Sequence, residues 1–146
     1  MYPYTFSVSL RLKHPKIDPQ IITRQLRRRP KRAWKAGDTR KTPTGTELPG
    51  TYRETYWYRT LTEGTLSSKH TPLEDYLDRL RSRLRPHARF FRRVRSGGGN
   101  AELFIGIFGR KNYGYEFSAP LLYEFGRIGL SLSFDIYDYP QKWRSP

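Results

Sequence analysis

"ARFFRRVRSGGGNAELFIGIFG", Ala88 to Gly109, is the stretch on which the fold turns. Its second half, "NAELFIGIFG", is rich in residues that suit a pleated strand. In its first half Phe90 and Val94 fall on one face of a strand, and Phe91 joins Arg89, Arg93 and Arg95 on the other. Read this way, the stretch is two antiparallel strands joined by a Gly-rich turn. The glycines of "SGGGN", Ser96 to Asn100, then close a hairpin. They do not cradle a phosphate: a P-loop needs Gly-Lys-Ser/Thr running into a helix, and a dinucleotide loop needs its glycines to open one.

Outward from this hairpin, "YTFSVSLRL" (Tyr4–Leu12) alternates with a period of two, Phe6, Val8, Leu10 and Leu12 against Thr5, Ser7, Ser9 and Arg11. In "IDPQIITRQLRRRP", Asp18 is an N-cap, Pro19 the first helical residue, and Ile17 a staple partner for Ile22. Pro30 ends this helix, with Arg27, Arg28 and Arg29 in a last turn whose carbonyl end favours positive charge. Residues 31–49 read as a long turn-rich connection with a short strand around Ala33. "TYRETYWYRT" is a second firm strand that puts Tyr52, Tyr56 and Tyr58 on one face and Trp57 on the other. Aromatics on both faces mean that both are partly covered, or that one is a binding surface.

"TPLEDYLDRLRSRLRP" gives a helix with Thr71 as cap, Pro72 at its start and Glu74 closing a capping box. Leu73, Leu77, Leu80 and Leu84 form one stripe, flanked by Arg81 and Arg85 on one shoulder and Arg79 and Arg83 on the other. Pro86 closes it. A third helix in "SAPLLYEFGRIG" has Ser118 as cap and Leu121, Leu122 and Phe125 as anchors. "LSLSFDIYDY" alternates again, burying Leu130, Leu132, Phe134 and Ile136, and the tail 139–146 packs through Trp143 or frays. The order predicts one α+β domain over 1–146, with its core in about 4–138. Five to six strands form a mixed or mainly antiparallel sheet, with three short helices mainly on one face. Strand followed by proline-started helix occurs twice, at "FSVSLRL…IDPQII" and "LFIGIFG…SAPLL", an echo of two pseudo-duplicated halves.

The chain has 146 residues and no cysteine, which removes thiol catalysis, disulfides and thiolate metal sites. No apolar run reaches the roughly 18 residues of a membrane span, and no secretory pattern opens the chain, so a cytoplasmic location is expected. Catalytic chemistry finds no foothold. His14, His70 and His87 stand apart, without the spacing of a zinc site. Glu74 and Asp75 belong to a helix start, and Asp135 and Asp138 fit a polar face and an exit turn. No catalytic residue, metal ligand or cofactor is assigned.

The formal charge is +15, and Arg27–Lys41 and Arg79–Arg95 together carry 16 of the 28 Lys and Arg residues. Such a field favours an unidentified protein or a polyanion as partner. The leading expectation is a non-catalytic binding or protein-interaction domain. The alternative is binding of single-stranded nucleic acid or RNA through Arg27, Arg28, Arg29, Arg32, Arg81, Arg83, Arg85 and Arg93, with Phe91 as a stacking platform.

Four stretches, "YTFSVSLRL", "IDPQIITRQL", "RAWKAGDTRKTPTGT" and "YRETYWYRT", with "LSLSFDIYDY" as a closing strand, resemble in that order a bacterial domain-of-unknown-function family, number 4279. The similarity spans roughly residues 4 to 138, and Trp34 to Asp38 is its sharpest element, followed by Trp57. It implies a small intracellular α+β domain and brings no catalytic residues. Trp34 to Asp38 has two readings. As a latch, Trp34 and Trp57 lie buried near one another and the Gly37–Asp38 turn folds the basic connection over the sheet. As a ligand pocket, Trp34, Gly37, Asp38 and Trp57 surround a cleft with Arg40 at its mouth. The latch is preferred.

Overall fold

The computed structural model describes residues 1–110 and 112–138. The fold is α+β, with a mixed, largely antiparallel sheet. Its long central strand β1 (Thr5–His14) runs antiparallel to β5 (Thr55–Thr60) on one side and to β7 (Asn100–Gly109) on the other. β2 (Arg32–Trp34) lies outside β5, and β8 (Ser131–Asp138) runs parallel to β7 at the opposite edge. The order is β2-β5-β1-β7-β8, and β6 (Leu66–Ser67) pairs with the start of β1. A separate two-stranded ribbon, β3 (Thr39–Lys41) with β4 (Glu47–Thr51), occupies much of the connection expected at 31–49.

Alternation in β1 holds as expected, with Phe6, Val8, Leu10 and Leu12 all in the core. Register carries the same face onto β7 as Ala101, Leu103, Ile105 and Ile107, and onto β5 as Trp57. Helices cover this face. α1 (Pro19–Leu26) buries Ile22 and Leu26, and Asp18 accepts the Gln20 amide as its cap. α2 (Leu73–Leu84) buries all four leucines of its stripe. Its cap differs from the expectation, because neither Thr71 nor Glu74 bonds the free amides. The Tyr4 hydroxyl, from the residue before β1, accepts the Leu73 amide and donates to Glu74, whose other oxygen accepts the Glu116 amide. Burial, the largest influence, pushes this phenol up to about 12.

The stretch Ala88–Gly109 departs from the hairpin. After a 3-10 turn at Arg85–His87, residues Ala88–Ser96 form helix α3, and only Asn100–Gly109 is a strand. Phe90, Phe91 and Val94 lie together in one buried stripe, which a helix achieves and a strand cannot. The glycines end this helix: the amides of Gly97, Gly98 and Gly99 return to the carbonyls of Arg93, Arg95 and Val94. Gly99 also passes so close to β1 that a Cβ there would collide with the Lys13 carbonyl oxygen. The three expected helices are therefore joined by a fourth.

α4 (Ala119–Ile128) begins at Ser118, which accepts the Leu121 amide, and buries Leu121, Phe125 and Ile128. Leu122, expected as an anchor, is 48% exposed, because it lies about 100° around the helix from Leu121. Leu130, just before β8, and Leu132 on it pack inward, whereas Phe134 stacks on Tyr115 and Phe117 at the rim and Ile136 is 59% exposed. β8 is an edge strand. The two halves share strand, helix and parallel strand, with β8 adjacent to β7 but β5 lying between β1 and β2. Trp143 and the tail lie outside the described residues.

Candidate functional site

The uncovered face of the sheet carries the aromatic array. Side chains that alternate away from the core are Tyr56 and Tyr58 on β5, Arg11 on β1 and Phe104 on β7. Trp34 joins them, because the β2–β5 register sets Trp34 opposite Tyr56 and Ala33 opposite Trp57. The two indoles therefore stand on opposite faces of the sheet, and the latch in which they meet is corrected. Trp57 is 0% exposed, and its indole donates to the Thr23 hydroxyl on the helix side. Trp34 is half-buried, and its indole donates to the Glu54 carbonyl.

Trp34 lies between two parallel tyrosines, with Tyr52 at 4.3 Å and 11° and Tyr56 at 4.5 Å and 21°. Tyr58 continues the row 6.5 Å beyond Tyr56. The Arg32 guanidinium stands 4.9 Å from the Trp34 ring, and Arg11 stands 4.2 Å from the Phe104 ring while pairing with Glu102. Each stacked pair contributes on the order of 0.5–1.5 kcal/mol beyond simple burial, so the row is held without a ligand.

Tyr52 connects this row to the β3–β4 ribbon. Its hydroxyl accepts the Lys41 amide and donates to the Lys41 carbonyl, and its own amide reaches the Asp38 carbonyl. Gly37, at φ 89°, donates to the Tyr52 carbonyl, a left-handed backbone that few other residues adopt easily. Ribbon and sheet edge enclose an open groove of about 910 Å³, lined by Trp34, Tyr52, Tyr56 and Tyr58 with Lys31, Arg32, Lys41, Asp38 and Glu47. Burial pushes the Tyr56 hydroxyl up, against the opposing charge of Arg11. The Tyr58 hydroxyl is pulled down by hydrogen bonds with Ser9 and Thr60.

Of the ligand-pocket residues, Trp34 and Asp38 line the groove, and Gly37 forms the turn behind it. Arg40 is tied to the Pro49 carbonyl, and Trp57 belongs to the core. The nucleic-acid candidates divide. Arg32 faces the groove, and Arg81 and Arg85 bind Glu124. Phe91 is 0% exposed, so it has no face to offer a base, which corrects its place as a stacking platform. Arg93 is exposed on α3, away from the groove lining. Arg27, Arg28 and Arg29 leave α1 on the helix side, where Arg28 meets Arg59, Arg83 and His87 around a smaller notch. Among the described residues no cluster of His, Asp and Glu converges as a metal site.

A family model described as a domain of unknown function, DUF4279, matches residues 3–139. The chain belongs to the DUF4279 family. The match spans the sheet, all four helices and the groove of this DUF4279 chain, in line with the resemblance at about 4–138. Comparison with curated proteins and with solved structures found no match. No helix among the described residues is long and apolar enough to cross a membrane. Tyr56 and Tyr58 of the DUF4279 groove were marked in the sequence by the alternation of "TYWYRT". Lys41 and Glu47 had no such mark, because they reach the groove only through the pairing of the ribbon, and Lys31 reaches it through the hydrogen bond of its amide to the Tyr58 carbonyl of β5.

Proposed function

We propose that this chain is a non-catalytic binding domain, and that the aromatic groove on the open sheet face receives an extended segment of a protein partner. The observation that carries this reading is the Tyr52–Trp34–Tyr56 stack, a pre-ordered wall beside both charge signs. Aromatic-lined grooves suit extended, proline-rich or ring-bearing segments, because rigid rings give contact area at little entropic cost. A cytoplasmic setting goes with this reading, and a cysteine-free chain suits a reducing compartment. The test is recovery of an intact native complex with the full chain, followed by Tyr56→Ala and Trp34→Ala. Loss of the complex with a retained unfolding midpoint in at least one variant is expected. A complex indifferent to both variants, or turnover of a small substrate abolished by Asp135→Asn, would overturn it.

A second reading, nucleic-acid binding, draws on the convergence of Arg28 and Arg83 from two distant basic segments. Titration with single- and double-stranded oligonucleotides separates it from the first, since phosphate contacts weaken steeply with salt. No binding at micromolar protein near 0.05 M salt removes it.

A further inference from the structure

We propose that the notch between the end of α1, strand β5 and the end of α2 is a seat for a single phosphate group. Arg28, Arg59, Arg83 and His87 stand around it, and Trp57 with flanking leucines forms its apolar floor. Its lining holds no carboxylate. Among the described residues no acid pairs with Arg28, Arg59 or Arg83. The contrast lies within one helix: Arg81 and Arg85, on the other shoulder of α2, both bind Glu124. Arg81, with Asp78 and Glu124, and Arg85, with Glu124, meet acids within the fold, whereas Arg83 lies beside the uncharged Tyr76 hydroxyl and pairs with none among the described residues.

Size narrows the ligand. The notch is small, about 70 Å³ against about 910 Å³ for the groove, which suits one oxyanion at its floor better than the whole of a larger ligand. One of the cations is placed in advance. Arg59 donates to the Arg29 carbonyl at 2.6 Å, which steadies its guanidinium at the mouth. Arg27, which starts the Arg triplet, has φ 53° and is the one non-glycine described residue in the left-handed region. Gly or Asn usually ends a helix in that conformation. Guanidinium groups suit phosphate because they can offer paired N–H donors.

His87 adds a proton. Arg27 and Arg28 face it from the end of α1, Arg83 and Arg59 share its notch, and the Phe91 ring of α3 lies at 6.2 Å. Burial, then Arg28 and Arg27, holds the imidazole below its ordinary value. A seated dianion reverses that field, so binding takes up a proton and tightens as pH falls below neutral.

The seat is independent of the groove, and its test uses the full chain. The NMR signal of the His87 ring is followed while sulfate, inorganic phosphate or phenyl phosphate is added at constant ionic strength. Saturation at one site is expected, weakened about tenfold or more by Arg28→Gln or Arg83→Gln. The exposed Arg53→Gln should stay within about twofold, as screened surface charge does. Sulfate keeps its charge throughout and should bind more tightly at pH 6 than at pH 7.5. Tighter phenyl phosphate would assign the group to the end of a larger molecule, and equal affinity would assign the free anion. Shifts that never saturate, or equal weakening by Arg53→Gln, would reduce the notch to diffuse attraction and overturn the seat.

Discussion

His14, the last residue of β1, is buried, and its Nδ1 accepts the amides of Lys16 at 3.1 Å and Ile17 at 3.0 Å. Only an unprotonated Nδ1 can do this. Burial, followed by the charge of Lys16, holds the ring below the ordinary value of 6.5. The unfolded chain therefore binds a proton more readily than the folded one. The resulting stabilisation is fully present above about pH 6.5 and is lost as pH falls toward the folded value. We expect the urea midpoint to drop between pH 7 and pH 5, and to drop less in His14→Asn, whose amide oxygen accepts but does not titrate. His87, lowered as well, adds a slope of the same sign, so the variant flattens the dependence without abolishing it. Equal slopes in the two proteins would exclude His14 as a source.

At the scale of elements, α3 tests the packing. Phe91 is among the largest fully buried side chains, and its removal leaves a cavity beneath α3. Phe91→Ala should cost on the order of 3–5 kcal/mol in urea unfolding, while the exposed Arg89→Ala should stay within about 0.5 kcal/mol. A cost below about 1 kcal/mol for Phe91→Ala would place α3 outside the core. The same helix shows why part of the fold was illegible. Phe90 and Val94 are four apart, a separation that is even and also close to one helical turn, so it satisfies both periods. In α2 the spacings of four, three and four admit only a helix, and β1 alternates without exception; both were readable for that reason. The groove was half readable. Alternation placed Tyr56 and Tyr58 opposite Trp57, but the side taken by Trp34 depends on which residue of β5 it faces. That register is set by tertiary pairing and leaves no local mark.

For the molecule as a whole, charge and layering act together. Helices screen one face of the sheet, and the ion pairs among the described residues are few beside a net +15. Most cations repel one another across the surface, which opposes the compact state. Sodium chloride should therefore raise the urea midpoint as the screening length falls from about 30 Å at 0.01 M to about 8 Å at 0.15 M. A midpoint that falls with added salt would show that attractive pairs outweigh the repulsion.

The hydroxyl of Tyr4 bears on where this chain can be shortened. A version trimmed to begin at Thr5 would retain every residue of the sheet and every residue of α2. It would nevertheless deprive the Leu73 amide and the Glu74 carboxylate of their common partner, with 69 positions between the cut and the damage. A tag or fusion joined at Thr5 in place of these residues would leave both groups without the phenol that starts a distant helix. The four residues ahead of the first strand look expendable on paper, yet one of them belongs to that helix's foundations.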